Sequence, residues 1–112
     1  MPKPTLIEVF GTNASQTATS FTISKNDLIS VGLTASATNS AEALLAAIIL
    51  KAKAYLTEAA FEANIDQSLF VGTGFKSTTV RGTNNTQYIT DQLVLNLAKI
   101  DPLSPLDPDD YQ

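Results

Sequence analysis

The chain contains no histidine and no cysteine. Without cysteine there are no disulfides, thiolate nucleophiles, iron–sulfur ligands or cysteine-type zinc sites. Without histidine the commonest general base and the commonest metal ligand are gone, which excludes Ser-His-Asp, Cys-His and His-metal machinery. Carboxylate, lysine, tyrosine and hydroxyl chemistry remain. Charge is also scarce: 16% of residues are charged, against roughly 25% in ordinary soluble domains. Ala, Ser, Thr and Asn take their place, and a surface of that kind suits contact with another subunit.

Long apolar runs are missing as well. The longest, Ala43–Leu50, ends at Lys51 after eight residues, far below the ~18 to 20 of a membrane span. The opening Met-Pro-Lys-Pro-Thr lacks the pattern of a secretory signal, so the expected location is cytoplasmic, or virion-associated if the chain is phage-derived, with no membrane partner. Net charge is −4, yet the stretch from Asp101 to Gln112 holds four acids and no base, leaving residues 1–100 with seven of each. A neutral body has no electrostatic attraction for nucleic acid. A chain of 112 residues has room for one core, so we expect one domain over residues 1–100 and an extended acidic tail over 101–112. Prolines 102, 105 and 108 keep that tail out of helix and central strand.

Thr5 to Phe10 alternates branched and aromatic residues and reads as a strand, as do Phe21 to Ser24 after a polar turn-rich stretch. Ser24 can cap a brief helical turn closed by Gly32. Residues 33–38 read as a linker. The spacing Asn39-Ser40-Ala41-Glu42 predicts a capping box, with a long helix running to about Glu62 through good helix formers and neither Gly nor Pro inside. At ~100° per residue, Leu45, Ile48, Ile49, Ala52 and Leu56 belong to an apolar stripe about 140° wide, the expected core. Leu50, Ala54 and Phe61 belong to a second stripe on the far side, within a rim of Glu42, Lys51, Lys53 and Glu58. One sheet covers one side of a helix, so these three residues are the candidate self-association surface.

Gln67 to Val80 reads as one strand bent or bulged at Gly72 and Gly74. Residues 81–86 have turn composition, and a second strand follows from Gln87, making a hairpin. The expected order is β-β-α-α-β-β: an α+β fold with a small antiparallel sheet and the long helix on one face.

Gly72-Thr73-Gly74 has the glycines of a phosphate loop but lacks the lysine and helix that complete one. Asp107, Asp109 and Asp110 lack the glycine turn and distal glutamate of a calcium loop, so no metal or cofactor is expected. Arg81, Asn84, Asn85 and Tyr88 put a cation, amides and a phenol on an exposed turn. With the loop around 72–74 they are the candidate small-ligand site. Glu58 and Glu62 read as a solvated helix face.

From Leu6-Ile7-Glu8-Val9-Phe10 through Thr22 to Asp107-Pro108-Asp109-Asp110-Tyr111, the chain resembles small cyanobacterial proteins, phage-derived ones among them. The resemblance implies an assembly component and supplies no site residues. The expectation is therefore a non-enzymatic, homo-oligomeric structural or assembly protein of viral or prophage type. The alternative is a small-ligand module using the loops around 72–74 and 81–88.

Overall fold

Thr5 and Glu8 satisfy each other's backbone at the start of the chain. The Thr5 hydroxyl accepts from the Glu8 N–H at 3.2 Å, and the Glu8 carboxylate accepts from the Thr5 N–H at 2.9 Å. This reciprocal cap turns Leu6–Phe10 into a short helix, α1, where alternation predicts a strand. The computed structural model that shows this describes residues 4–99 and 108–111. Gly11 ends α1 at φ 115° and ψ 160°, a region essentially reserved for glycine. A side chain there would also overlap Asp27, whose carboxylate accepts from the Asn13 N–H at 2.9 Å and holds the following turn.

β1 (Ser15–Gln16) and β2 (Phe21–Thr22) form a minimal antiparallel hairpin within the stretch expected to be loop and strand. Phe21 meets Phe10 edge-to-face at 4.9 Å. Ser24 caps a 3₁₀ helix over Lys25–Val31, and Gly32 closes it in the left-handed region, as predicted in kind though longer.

α2 spans Ala41–Lys53. Its cap is Ser40, not Asn39: the Ser40 hydroxyl accepts from the Ala43 N–H at 3.1 Å. Asn39 instead fastens the preceding linker, accepting from the Ser36 N–H and donating to the Thr34 carbonyl. The single long helix is also corrected. The chain turns at residues 54–57, and α3 starts afresh over Glu58–Ala63 with the Thr57 hydroxyl accepting from the Ala60 N–H. Contacts from distant residues favour the break. The Leu56 carbonyl accepts from the Val71 N–H at 2.8 Å, so a carbonyl that an unbroken helix would use internally serves the next strand instead, while the Thr57 carbonyl takes the helical bond from Phe61 and a second one, at 3.3 Å, from the Gln67 side chain.

The expected strand from Gln67 to Val80 divides into β3 (Leu69–Thr73) and β4 (Ser77–Arg81). The returning strand divides into β5 (Thr86–Thr90) and β6 (Leu93–Leu97). β3 pairs with β6 and β4 with β5, both antiparallel, so the predicted hairpin is present. The strands form three two-stranded sheets instead of one larger sheet. The fold is thus α+β with small antiparallel sheets, but it opens with a helix and splits the long one. Of the tail, residues 101–107 lie outside the described part, and Pro108–Tyr111 form a 3₁₀ turn.

α1, the 3₁₀ helix and β3 all pack on α2. The buried apolar residues are Val9, Ala14, Leu28, Ala47, Ala52 and Val71. Of the expected core stripe only Ala52 is buried. Ile48, Ile49 and Leu56 are half-buried, and Leu45 is 60% exposed. α2 is apolar on most sides, so burial is decided by where its three neighbours land. They cover Ala47 and Ala52.

Candidate functional site

β3 to β6 form one long two-stranded ribbon whose halves differ in burial. At its base, β3 is held to α2 and α3: Val71 is buried, and Phe70 meets Phe61 of α3 at 4.9 Å. Every residue of β4 and β5 is exposed. That outer half is a projecting arm.

The joint between base and arm is a bulge. Thr73 pairs with Leu93 and Ser77 with Thr90, so Gly74, Phe75 and Lys76 oppose only Asp91 and Gln92, one residue too many on the first strand. Gln92 bridges the mismatch. Its carbonyl accepts from the Gly74 N–H at 2.7 Å and its side-chain oxygen from the Phe75 N–H at 3.1 Å. Gly74 has to be small because a Cβ there would occupy the space of the Gln92 side chain. Lys76 and Asp91 sit beside the joint at 3.7 Å, both well exposed. An exposed pair of this kind contributes little to stability.

The register sorts the arm's side chains. Val80 and Ile89 share one face diagonally with Thr78 and Gln87, while Arg81 and Tyr88 share the other. The Arg81 guanidinium lies 5.0 Å from the Tyr88 ring centre, a cation–π contact. Asn84 and Asn85 lie in the tight turn over residues 82–85, with Asn85 at φ 52°.

The structure therefore brings together Arg81 and Tyr88 of the candidate ligand residues, against each other. The stretch around 72–74 lies before the start of β4, so the whole of that strand, about 13 Å at ~3.3 Å per residue, separates it from the turn. The two loops do not converge on one pocket.

Leu50 and Ala54 are exposed and line a shallow depression with Val31, Lys53 and Thr57. Phe61 is separated from them by the helix break and packs on Phe70. A larger open depression of about 840 Å³ lies where Phe61, Asn64, Ile65, Gln67, Ala98 and Lys99 meet. Gln67 is buried, and its amide nitrogen donates to the Leu69 and Thr57 carbonyls at 2.8 and 3.3 Å. Its amide oxygen has no partner and is closed to solvent, so a solute resting in the depression would not reach it. Gln67 acts as a clamp between α3 and β3.

Sequence reasoning missed Gln67, Gln92 and the Val80/Ile89 face. The two glutamines carry no local signal, whereas the shared face follows once the turn fixes the register.

Among the described residues no three carboxylates gather as a metal would require, and no helix is long and apolar enough to cross a membrane. No family model matches the chain, and neither a curated protein nor a solved structure resembles it.

Proposed function

We propose that the chain is a non-enzymatic subunit of a homo-oligomeric structural or assembly protein. One observation carries the reading: the described residues bury little and expose much. Six apolar residues are buried, three of them alanine, while thirteen large apolar or aromatic side chains are exposed. Ile65 and Phe75 are 98% and 88% exposed. Burying one Leu, Ile or Phe contributes about 1.5 to 3 kcal/mol, so a second copy has much to cover. Few charges stand in the way, since residues 1–100 are neutral overall and charge-poor.

Leu50 and Ala54, with Val31 and Lys53 beside them, remain part of the contact surface in this reading, while Phe61 acts indirectly by fixing α3 against β3. Light scattering at about 100 μM, well above the micromolar range of ordinary specific contacts, tests it. The expected result is a mass at least twice 11.9 kDa, with a thermal midpoint that rises with protein concentration. A monomer whose midpoint does not move with concentration would overturn it.

A further inference from the structure

From Ile100 to Pro108 the sequence reads Ile-Asp-Pro, Leu-Ser-Pro, Leu-Asp-Pro. Apolar side chains, short polar ones and prolines each recur at every third position. A polyproline II helix has three residues per turn, so in that conformation Ile100, Leu103 and Leu106 share one face at ~9 Å intervals. Asp101, Ser104 and Asp107 share another. Residues 100–107 lie outside the described part, but the exit of the chain toward them and the surface beside that exit are described.

The exit has a direction. One step beyond the Leu69–Leu97 pair, the Ala98 N–H donates to the Ser68 carbonyl at 2.7 Å. The antiparallel ladder therefore continues past the end of β6 and starts the chain back along residues 67–64. There it meets the open depression of about 840 Å³, whose lining includes Ala98 and Lys99 themselves, a volume in the range of pockets that enclose a small molecule. Phe61, Ala63 and Ile65 also line it. Ile65 is 98% exposed, more than any other large apolar side chain described.

We infer that residues 100–107 lie as a polyproline II segment across this depression of the same chain, with Ile100, Leu103 and Leu106 against Phe61, Ala63 and Ile65. Three features select this occupant. The segment is tethered at the rim, and a short tether gives an effective concentration in the millimolar range, so it displaces the same segment of another copy. A polyproline II backbone has no internal hydrogen bonds and stays solvated, so laying one face down buries side chains without orphaning backbone groups. Glu62 and Asp66 also line the depression, and the triplet period keeps Asp101 and Asp107 off the buried face, away from them. The contact closes within one chain and does not rest on the homo-oligomer.

The chain has no cysteine, so Leu103→Cys, Ser104→Cys, Leu106→Cys and Asp107→Cys in the full-length chain each introduce a unique thiol. The rate at which a water-soluble thiol reagent labels each is measured in the native and the denatured chain, at a low and a high protein concentration. The inference expects native labelling, relative to the denatured chain, to be several-fold slower at 103 and 106 than at 104 and 107, at both concentrations. Adding Ile65→Glu, at an exposed position and with folding followed by circular dichroism, should raise 103 and 106 to the rate of the other two. Equal rates at all four positions, or protection that survives Ile65→Glu, overturns the contact. Protection that appears only at the high concentration assigns the segment to a second copy and overturns its placement within one chain.

Discussion

The Gly74 N–H donates to the Gln92 carbonyl at 2.7 Å while the Gln92 side chain fills the space a Cβ at position 74 would need. Gly74→Ala should therefore eject the Gln92 side chain and lose its bond to the Phe75 N–H, at a cost of about 0.5 to 1.5 kcal/mol. In a Gln92→Ala background the same change should be nearly silent. A denaturant double-mutant cycle with no coupling between the two positions would contradict the clamp.

Gly11→Ala should be the more damaging glycine substitution. It combines a φ of 115° with overlap onto Asp27 close to the backbone, where no flexible side-chain end can swing aside. About 1 to 3 kcal/mol from the backbone conformation alone is the expected loss. A melt unchanged by Gly11→Ala would show that α1 ends differently.

The two helix caps give a sharper comparison. Ser40→Ala and Thr57→Ala should each lower stability by roughly 0.5 to 2 kcal/mol, because each removes the acceptor for a first-turn N–H. Asn39→Ala should loosen the linker while leaving the helical signal of α2 intact. Helix loss in Asn39→Ala with none in Ser40→Ala, seen by circular dichroism, would reverse the assignment.

Leu28 is 2% exposed and Leu45 is 60% exposed. Leu28→Ala should cost on the order of 2 to 5 kcal/mol through lost burial and a residual cavity, and Leu45→Ala less than about 0.5 kcal/mol in dilute protein. Similar melts for the two variants at low concentration would place the core elsewhere on α2.

Gln67→Ala should cost about 1 to 3 kcal/mol, because it leaves the Leu69 carbonyl without its side-chain donor and removes the link to Thr57, whose carbonyl keeps its bond from Phe61. Faster amide exchange at both α3 and β3 should accompany it. Exchange confined to one element would mean that the clamp does not join them.

The ribbon was legible in the sequence because its signals are local: alternation along each strand, turn residues between them and glycines at the bulge. The helix at Leu6–Phe10 was misread because five residues are too few for helical periodicity to show, and Ile7 and Val9 suit a strand. The Thr5–Glu8 spacing was the competing local signal. The break after Lys53 has no such warning. Good helix formers continue past it, and what favours it is the hold on the Leu56 carbonyl by Val71, fifteen residues further on. At the candidate site Arg81 and Tyr88 were named for exposure and chemistry, and their mutual contact needed the register. The stripe through Leu50, Ala54 and Phe61 assumed a continuous helix, so the break detached Phe61 from it.

The bulge also makes the arm an adjustable part. With the one-residue mismatch absorbed between Thr73 and Ser77, the base ladder does not depend on how many rungs lie beyond it. Each rung added to β4 and β5 would lengthen the reach by ~3.3 Å and turn the Arg81–Tyr88 tip to the opposite side, and a second would turn it back. Arm length in this fold can therefore change in steps of two rungs, about 6.6 Å, keeping the tip's orientation and leaving the helices untouched.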